Sequence, residues 1–239
     1  MRTFIKDNNR YNKIVPKIIG INNYLGGIKK MKLLVVGVNG RVGSLVANTA
    51  QDKNIEVTGL GKGENKNSLT NYILKDALDL KTKDLEEYDV VVDAVGGWTS
   101  ETIPDITNVM IHLANLLSNT KTRLIVVGGA GSLFVDNKRA ITVDMGKDFP
   151  DSWKPLSAAH GKGLDYLRKS TNLNWTYISP ACNFVADGKK TGEYQLGGEE
   201  LILNHNNESV ISYADYAIAL VDEVISGKHN KERISVVSK

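Results

Sequence analysis

The stretch Leu33-Leu34-Val35-Val36-Gly37-Val38-Asn39-Gly40-Arg41-Val42-Gly43 decides the fold of this 239-residue chain. Four consecutive apolar residues are the pattern of a strand buried on both faces, as in a parallel sheet covered by helices. Gly37, Gly40 and Gly43 then form Gly-x-x-Gly-x-x-Gly, and Val42, Leu45, Val46 and Thr49 follow at helical spacing. A glycine turn between a buried strand and a helix presents backbone N–H groups and a helix dipole to an anion. In that context Gly37 permits the tight turn, Gly40 lets the backbone approach a diphosphate, and Gly43 lets the helix pack close to the strand. Asn39, Arg41 and Val42 complete the expected phosphate loop.

Working outward, short apolar runs alternate with helical patterns. Strands are expected over residues 55–60, 72–74, 89–95, 124–127, 175–178 and 233–237. Helices are expected over 103–118, 156–169 and 213–225. Ser212 suits the N-cap of the last helix, Asp215 suits its positive end, and Gly227 ends it. Strand–helix–strand repetition with short connections implies parallel strands and right-handed crossovers. The expected fold is therefore an α/β, Rossmann-like, doubly wound parallel sheet. Residues from about 181 onward form a small C-terminal cap over the substrate pocket. Ligands of such sheets bind beyond the carboxyl ends of the strands. That draws attention to Ala94, Val95 and Gly96 after the fourth strand and to Gly128 and Gly129 after the fifth.

Composition bounds the remaining choices. With 41% hydrophobic residues the chain can bury a sizeable core. Residues 1–30 carry seven basic side chains against Asp7, a net +6, so a chain of net +3 leaves −3 on residues 31–239. The basic balance thus belongs to the N-terminal segment and argues against nucleic-acid binding by the domain. That segment is expected to be a disordered extension ahead of a natural start at Met31, or else a tail that binds a partner. No apolar run is long enough for a membrane span. One cysteine, Cys182, cannot make an internal disulfide, which fits a reducing, cytoplasmic setting. No cysteine–histidine cluster has zinc-site spacing, so no metal is expected. A monomer or homodimer acting on a small molecule is the expected state.

The loop implies a dinucleotide, and the end of the second strand bears on which one. An acid there would bind ribose hydroxyls. The strand instead runs into Gly61-Lys62-Gly63, so Lys62, with Arg41 and Lys66 near, is expected to meet the 2′-phosphate of NADP; NAD is the alternative. Asp76 is a candidate for the adenine amino group or a plain turn residue.

On these residues the chain resembles the atypical short-chain dehydrogenase/reductases, in the NmrA-like NAD(P)H-binding branch. It is closest to bacterial candidate NADH-flavin reductases related to biliverdin reductase B. The resemblance is carried by Met31–Gly37 with its glycine loop, by residues 127–133 and 174–180, by Thr191-Gly192-Glu193-Tyr194, and by residues 209–220. It implies an NAD(P)H-dependent reductase with flavin as a candidate substrate, or a non-catalytic sensor. The superfamily's Tyr-x-x-x-Lys pair is missing: Tyr166 is followed by Ser170 and Tyr72 by Asp76. Ser132 occupies the place of the superfamily's catalytic serine. His160 is expected near the start of its helix, as a proton donor near neutral pH or as a solvent-facing residue. Trp98 is a candidate stacking surface, and Asn183 and Phe184 a candidate edge of the substrate pocket.

Overall fold

The computed structural model describes residues 30–239. The expected extension over 1–30 lies outside the described residues, Lys30 apart. In chain order the elements are β1 (Lys32–Val36), α1 (Arg41–Asp52), β2 (Glu56–Gly61), β3 (Asn71–Leu74), β4 (Val90–Asp93), α2 (Ile103–Leu117), β5 (Arg123–Val127), α3 (Lys154–Lys169), β6 (Asn174–Ser179), β7 (Asn183–Val185), β8 (Tyr194–Gly197), β9 (Val210–Ser212), α4 (Tyr213–Ser226) and β10 (Glu232–Ser238). Eight strands form one sheet in the order β3-β2-β1-β4-β5-β6-β10-β8. Every pair in it is parallel except β8 against β10. The chain leaves β1 for β2 on one side and later returns to β4 on the other. The switch point therefore lies between β1 and β4, where the glycine loop emerges.

The sheet is buried on both faces because side chains alternate along each strand. Leu33, Val35, Val92, Ile125 and Ile178 face α1 and α4. Leu34, Val36, Val91, Leu124, Val126 and Tyr177 face α2 and α3. Each helix supplies an apolar stripe: Val46, Ala47 and Ala50 from α1, and Ile106, Val109, Met110, Leu113 and Leu117 from α2.

The C-terminal tail is built largely into the main body. β10 and β8 extend the main sheet and α4 joins α1 in one helical layer, leaving only β7 and β9 as a separate two-stranded piece. Phe184, partly buried, packs on Tyr213 and Tyr216, with ring centroids 4.1 and 4.9 Å away. The α4 terminus forms as its sequence predicts. Ser212 Oγ accepts from Asp215 N at 3.0 Å, and Gly227 takes a left-handed φ of 56°. Asp215 is itself buried and accepts from Thr191 N at 2.9 Å, Thr191 Oγ1 at 2.8 Å and Gly192 N at 2.8 Å. The Thr191–Tyr194 motif is thereby a loop wrapped around one carboxylate.

Candidate functional site

The glycine loop has the shape its sequence requires. Gly37 sits at φ +78°, and a Cβ there would meet the Ala94 carbonyl oxygen at 2.8 Å. A Cβ on Gly43 would lie 2.4 Å from the Gly37 oxygen. Both positions are closed to other residues, so the β1–α1 turn and the start of β4–α2 lie against each other. Gly40 is the N-cap of α1, with no side-chain cap. Gly40 N bonds the Gly37 oxygen and Ser44 N bonds the Gly40 oxygen. Among the described residues, no acceptor answers the N–H groups of Arg41, Val42 and Gly43. Uncapped N–H groups at a helix start are a ready anion site.

These groups open beside a cleft of about 310 Å³ at the switch point. Gly37, Gly40, Lys62, Ala94, Val95 and Gly96 all line it, joined by Thr102 and Asp105 from the start of α2. A larger cavity, about 430 Å³, lies at the opposite end of β4 among Leu85, Glu87, Leu116 and Thr122, away from the carboxyl ends of the strands. The residues at the cleft fit a dinucleotide: free amides for the diphosphate, a lining of glycines and apolar residues, and polar groups at the β2 and β3 ends for the adenosine half.

Several expected contacts are committed elsewhere. Lys62 does not stand free for a phosphate: its ammonium lies 3.0 Å from Asp76 and 3.1 Å from Asp105. Those carboxylates raise its pKa. Asp76 also caps the turn at Ala77–Asp79 by accepting from Leu78 N at 2.9 Å. That N–H and the Lys62 ammonium hold its carboxyl below the ordinary value. Asn39 turns away from the phosphate loop to hold the segment after β2. Its amide donates to the Glu64 carbonyl and the Tyr72 hydroxyl, both at 2.9 Å, and accepts from Lys66 N at 3.1 Å. Arg41 is exposed and, among the described residues, makes no ion pair. Trp98 stands 72% exposed on the turn leading to α2.

The two candidate catalytic residues also differ from expectation. His160 lies in the middle of α3, not at a solvent-facing start. Its imidazole packs against Gly129, and Nδ1 is 3.4 Å from the Tyr177 hydroxyl. Burial pushes its pKa down to about 4, so it is neutral near pH 7 and carries no imidazolium proton to donate. Ser132 is gripped by Arg233, whose Nη1 donates to both its carbonyl oxygen and Oγ at 3.0 Å. Gly128 and Gly129 lie against the Tyr177 and His160 rings, so packing as well as a ligand explains them.

Three residues that sequence reading passed over hold the site together. Register aligns Val36, Asp93, Val126, Tyr177 and Arg233 in one row across five strands, on the face of α2 and α3. The Asp93 carboxylate accepts from Val95 N at 3.0 Å, fixing the loop after β4. Burial raises its pKa to about 7. The Tyr177 hydroxyl accepts from Gly129 N at 2.9 Å, fixing the loop after β5, and burial raises its pKa to about 12. Arg233 fixes the same loop three residues on. The signal for Asp93 was present: an acid closes an otherwise apolar strand. Arg233 opens a strand, where a basic residue reads as solvated.

A parallel sheet with an uncapped glycine turn at its switch point defines a dinucleotide-binding protein of the Rossmann-like class. The chain belongs to the NAD(P)H-binding family, whose sequence pattern matches residues 37–224. The uncharacterized protein YwnB of Bacillus subtilis is 35% identical over 211 residues, 87% of this chain and 99% of the relative. A crystal structure from Streptococcus pneumoniae TIGR4, described as a candidate NADH-flavin reductase, is 44% identical with a TM-score of 0.85. That match covers 87% of this chain and all of the other. A candidate exported protein from Burkholderia pseudomallei is 29% identical with a TM-score of 0.77, over 87% and 99% of the two chains. Among the described residues no helix is long and apolar enough to cross a membrane, and no cluster could hold a metal ion.

Proposed function

We propose that this protein is an NAD(P)H-dependent reductase that passes hydride to a planar acceptor such as a flavin or quinone. The carrying observation is the start of α1, where three unanswered N–H groups open beside the cleft at the switch point. When bound, the nicotinamide supplies the hydride. The chain's own task is to orient two planar groups and exclude water between them. The Arg41, Val42 and Gly43 amides bind the diphosphate. Ala94, Val95 and Gly96 form a side-chain-poor wall, and the exposed Trp98 offers a stacking face. A flavin or quinone suits the site because it takes its proton from water. Neither His160, pushed down to about 4, nor Tyr177, raised to about 12, is an effective acid at neutral pH. The name given to the Streptococcus pneumoniae protein points to the same chemistry.

NADPH is the proposed cofactor, with NADH the alternative. Arg41 is the uncommitted cation of the loop, and Lys62 joins it by exchanging Asp76 and Asp105 for the 2′-phosphate. The working state is a cytoplasmic monomer or homodimer. A second reading, a non-catalytic NAD(P)-binding sensor, is favoured by the missing Tyr-x-x-x-Lys pair. Incubation of purified protein with NADPH and FMN separates them. Oxidation of NADPH above background supports the reductase; none, with nucleotide still bound, leaves the sensor.

A further inference from the structure

We propose that Arg233 is a positioning residue: from the last strand it fixes the loop after β5 so that the Ser132 hydroxyl donates its hydrogen to the nicotinamide half of the dinucleotide. This rests on the dinucleotide reading given above. A diphosphate on the first turn of α1 divides the ligand. The adenosine half runs toward the β2 and β3 ends, where ribose is read in such folds. The nicotinamide half therefore runs toward β4, β5 and β6, and the loop 128–133 is the segment that leaves β5.

The Arg233 side chain has no solvent exposure. A charge so buried needs partners, and both terminal nitrogens have them, while Nε lies buried without one. Nη1 gives two bonds to Ser132, at 3.0 Å each. Nη2 gives one to the Glu199 carbonyl at 2.9 Å and one to the Glu199 carboxylate. Arg168 shares that carboxylate at 2.6 Å, and the Phe134 ring centroid lies 5.9 Å from the guanidinium carbon. The fork is thus set from two loops and cannot rotate without losing both. Guanidinium donates only, and a hydroxyl has one hydrogen. With Arg233 donating to Oγ, the Ser132 hydrogen must point away from it. Among the described residues no protein acceptor receives that hydrogen. Ser132 is thereby presented as a donor, which suits an oxygen on the ligand. Asp93 and Tyr177, in the same row, fix their loops in the same manner. The loops after β4 and β5 take their rigidity from this buried row.

A mere structural ion pair would tie β10 to Glu199 and affect the two ligand halves alike. Calorimetric titration of the full chain discriminates, using whichever oxidised dinucleotide the wild type binds and its matched fragment, ADP-ribose or 2′-phospho-ADP-ribose. Ser132→Ala and Arg233→Lys are each expected to weaken the dinucleotide about fivefold, the worth of one neutral hydrogen bond. Fragment affinity stays within about twofold, and the double variant is little weaker than either single one. The proposal is overturned if Ser132→Ala leaves the dinucleotide unchanged, a test that does not need the arginine variant to fold. It is equally overturned if Arg233→Lys weakens dinucleotide and fragment in step, or if the two effects add. A wild type that binds neither ligand sinks the dinucleotide reading itself, and this inference with it.

Discussion

Replacing Asp93 with Asn should stabilise the protein in a pH-dependent way. Asp93 is buried at the end of β4 with one N–H donor, from Val95, to offset the loss of water. Its pKa of about 7 stands above the unfolded value of about 4. A carboxyl raised on folding favours the folded state while protonated, and that benefit is lost as pH rises through the interval. Each pH unit between the two values removes about 1.4 kcal/mol. From pH 5 to pH 8 the wild type should therefore lose about 2.5 kcal/mol through this group alone. Asn cannot titrate and keeps an oxygen for Val95 N. His160 acts in the opposite sense. Its folded value of about 4 lies below the ordinary 6.5, so its contribution is lost as pH falls through that window. It is present in both proteins and cancels in the difference. Thermal melts at pH 5, 6, 7 and 8 should show the variant's Tm relative to wild type rising by about 5–10 °C across the series, at about 2–4 °C per kcal/mol for this size. A difference that stays flat, or falls, would refute the assignment of Asp93 as a buried carboxyl without a compensating charge.

Two further outcomes test separate parts of the site. Asp105→Asn frees Lys62 from one of its two carboxylates and removes a negative charge from the cleft, so NADPH affinity should rise relative to NADH by about three- to tenfold in low salt; an unchanged ratio by calorimetry would place the 2′ position elsewhere. Asp215→Ala strands Thr191 N and Gly192 N and should cost about 3 kcal/mol in urea denaturation, whereas a loss under about 1 kcal/mol would mean that water replaces the carboxylate.

The fold was legible because it rests on local patterns. Residues 33–36 are apolar throughout, the glycines fall at fixed spacing, and α2 and α4 carry clear stripes, so strand and helix positions follow from periodicity. The antiparallel addition of β8 was not legible, since Tyr194–Gly197 is four residues long, Gly-terminated and paired only with a strand forty residues on. The phosphate loop was legible for the same local reason as β1. The partners of Lys62, Asn39, Ser132 and His160 were not, because each comes from a distant segment. Asp105 meets Lys62 from the first turn of α2, and Arg233 meets Ser132 from 101 residues away. Residue type alone suggested a free cation and a titrating imidazole, whereas pairing ties Lys62 to two carboxylates and burial lowers the His160 pKa.

Backbone amides at the start of α1 are the proposed site of the dinucleotide diphosphate. A crystal grown with NADPH or NADH tests it most directly. Diphosphate oxygens are expected within hydrogen-bond distance of Arg41 N, Val42 N and Gly43 N, with the nicotinamide toward Gly129. Density for the ligand elsewhere, or an empty cleft at saturating nucleotide, would contradict it.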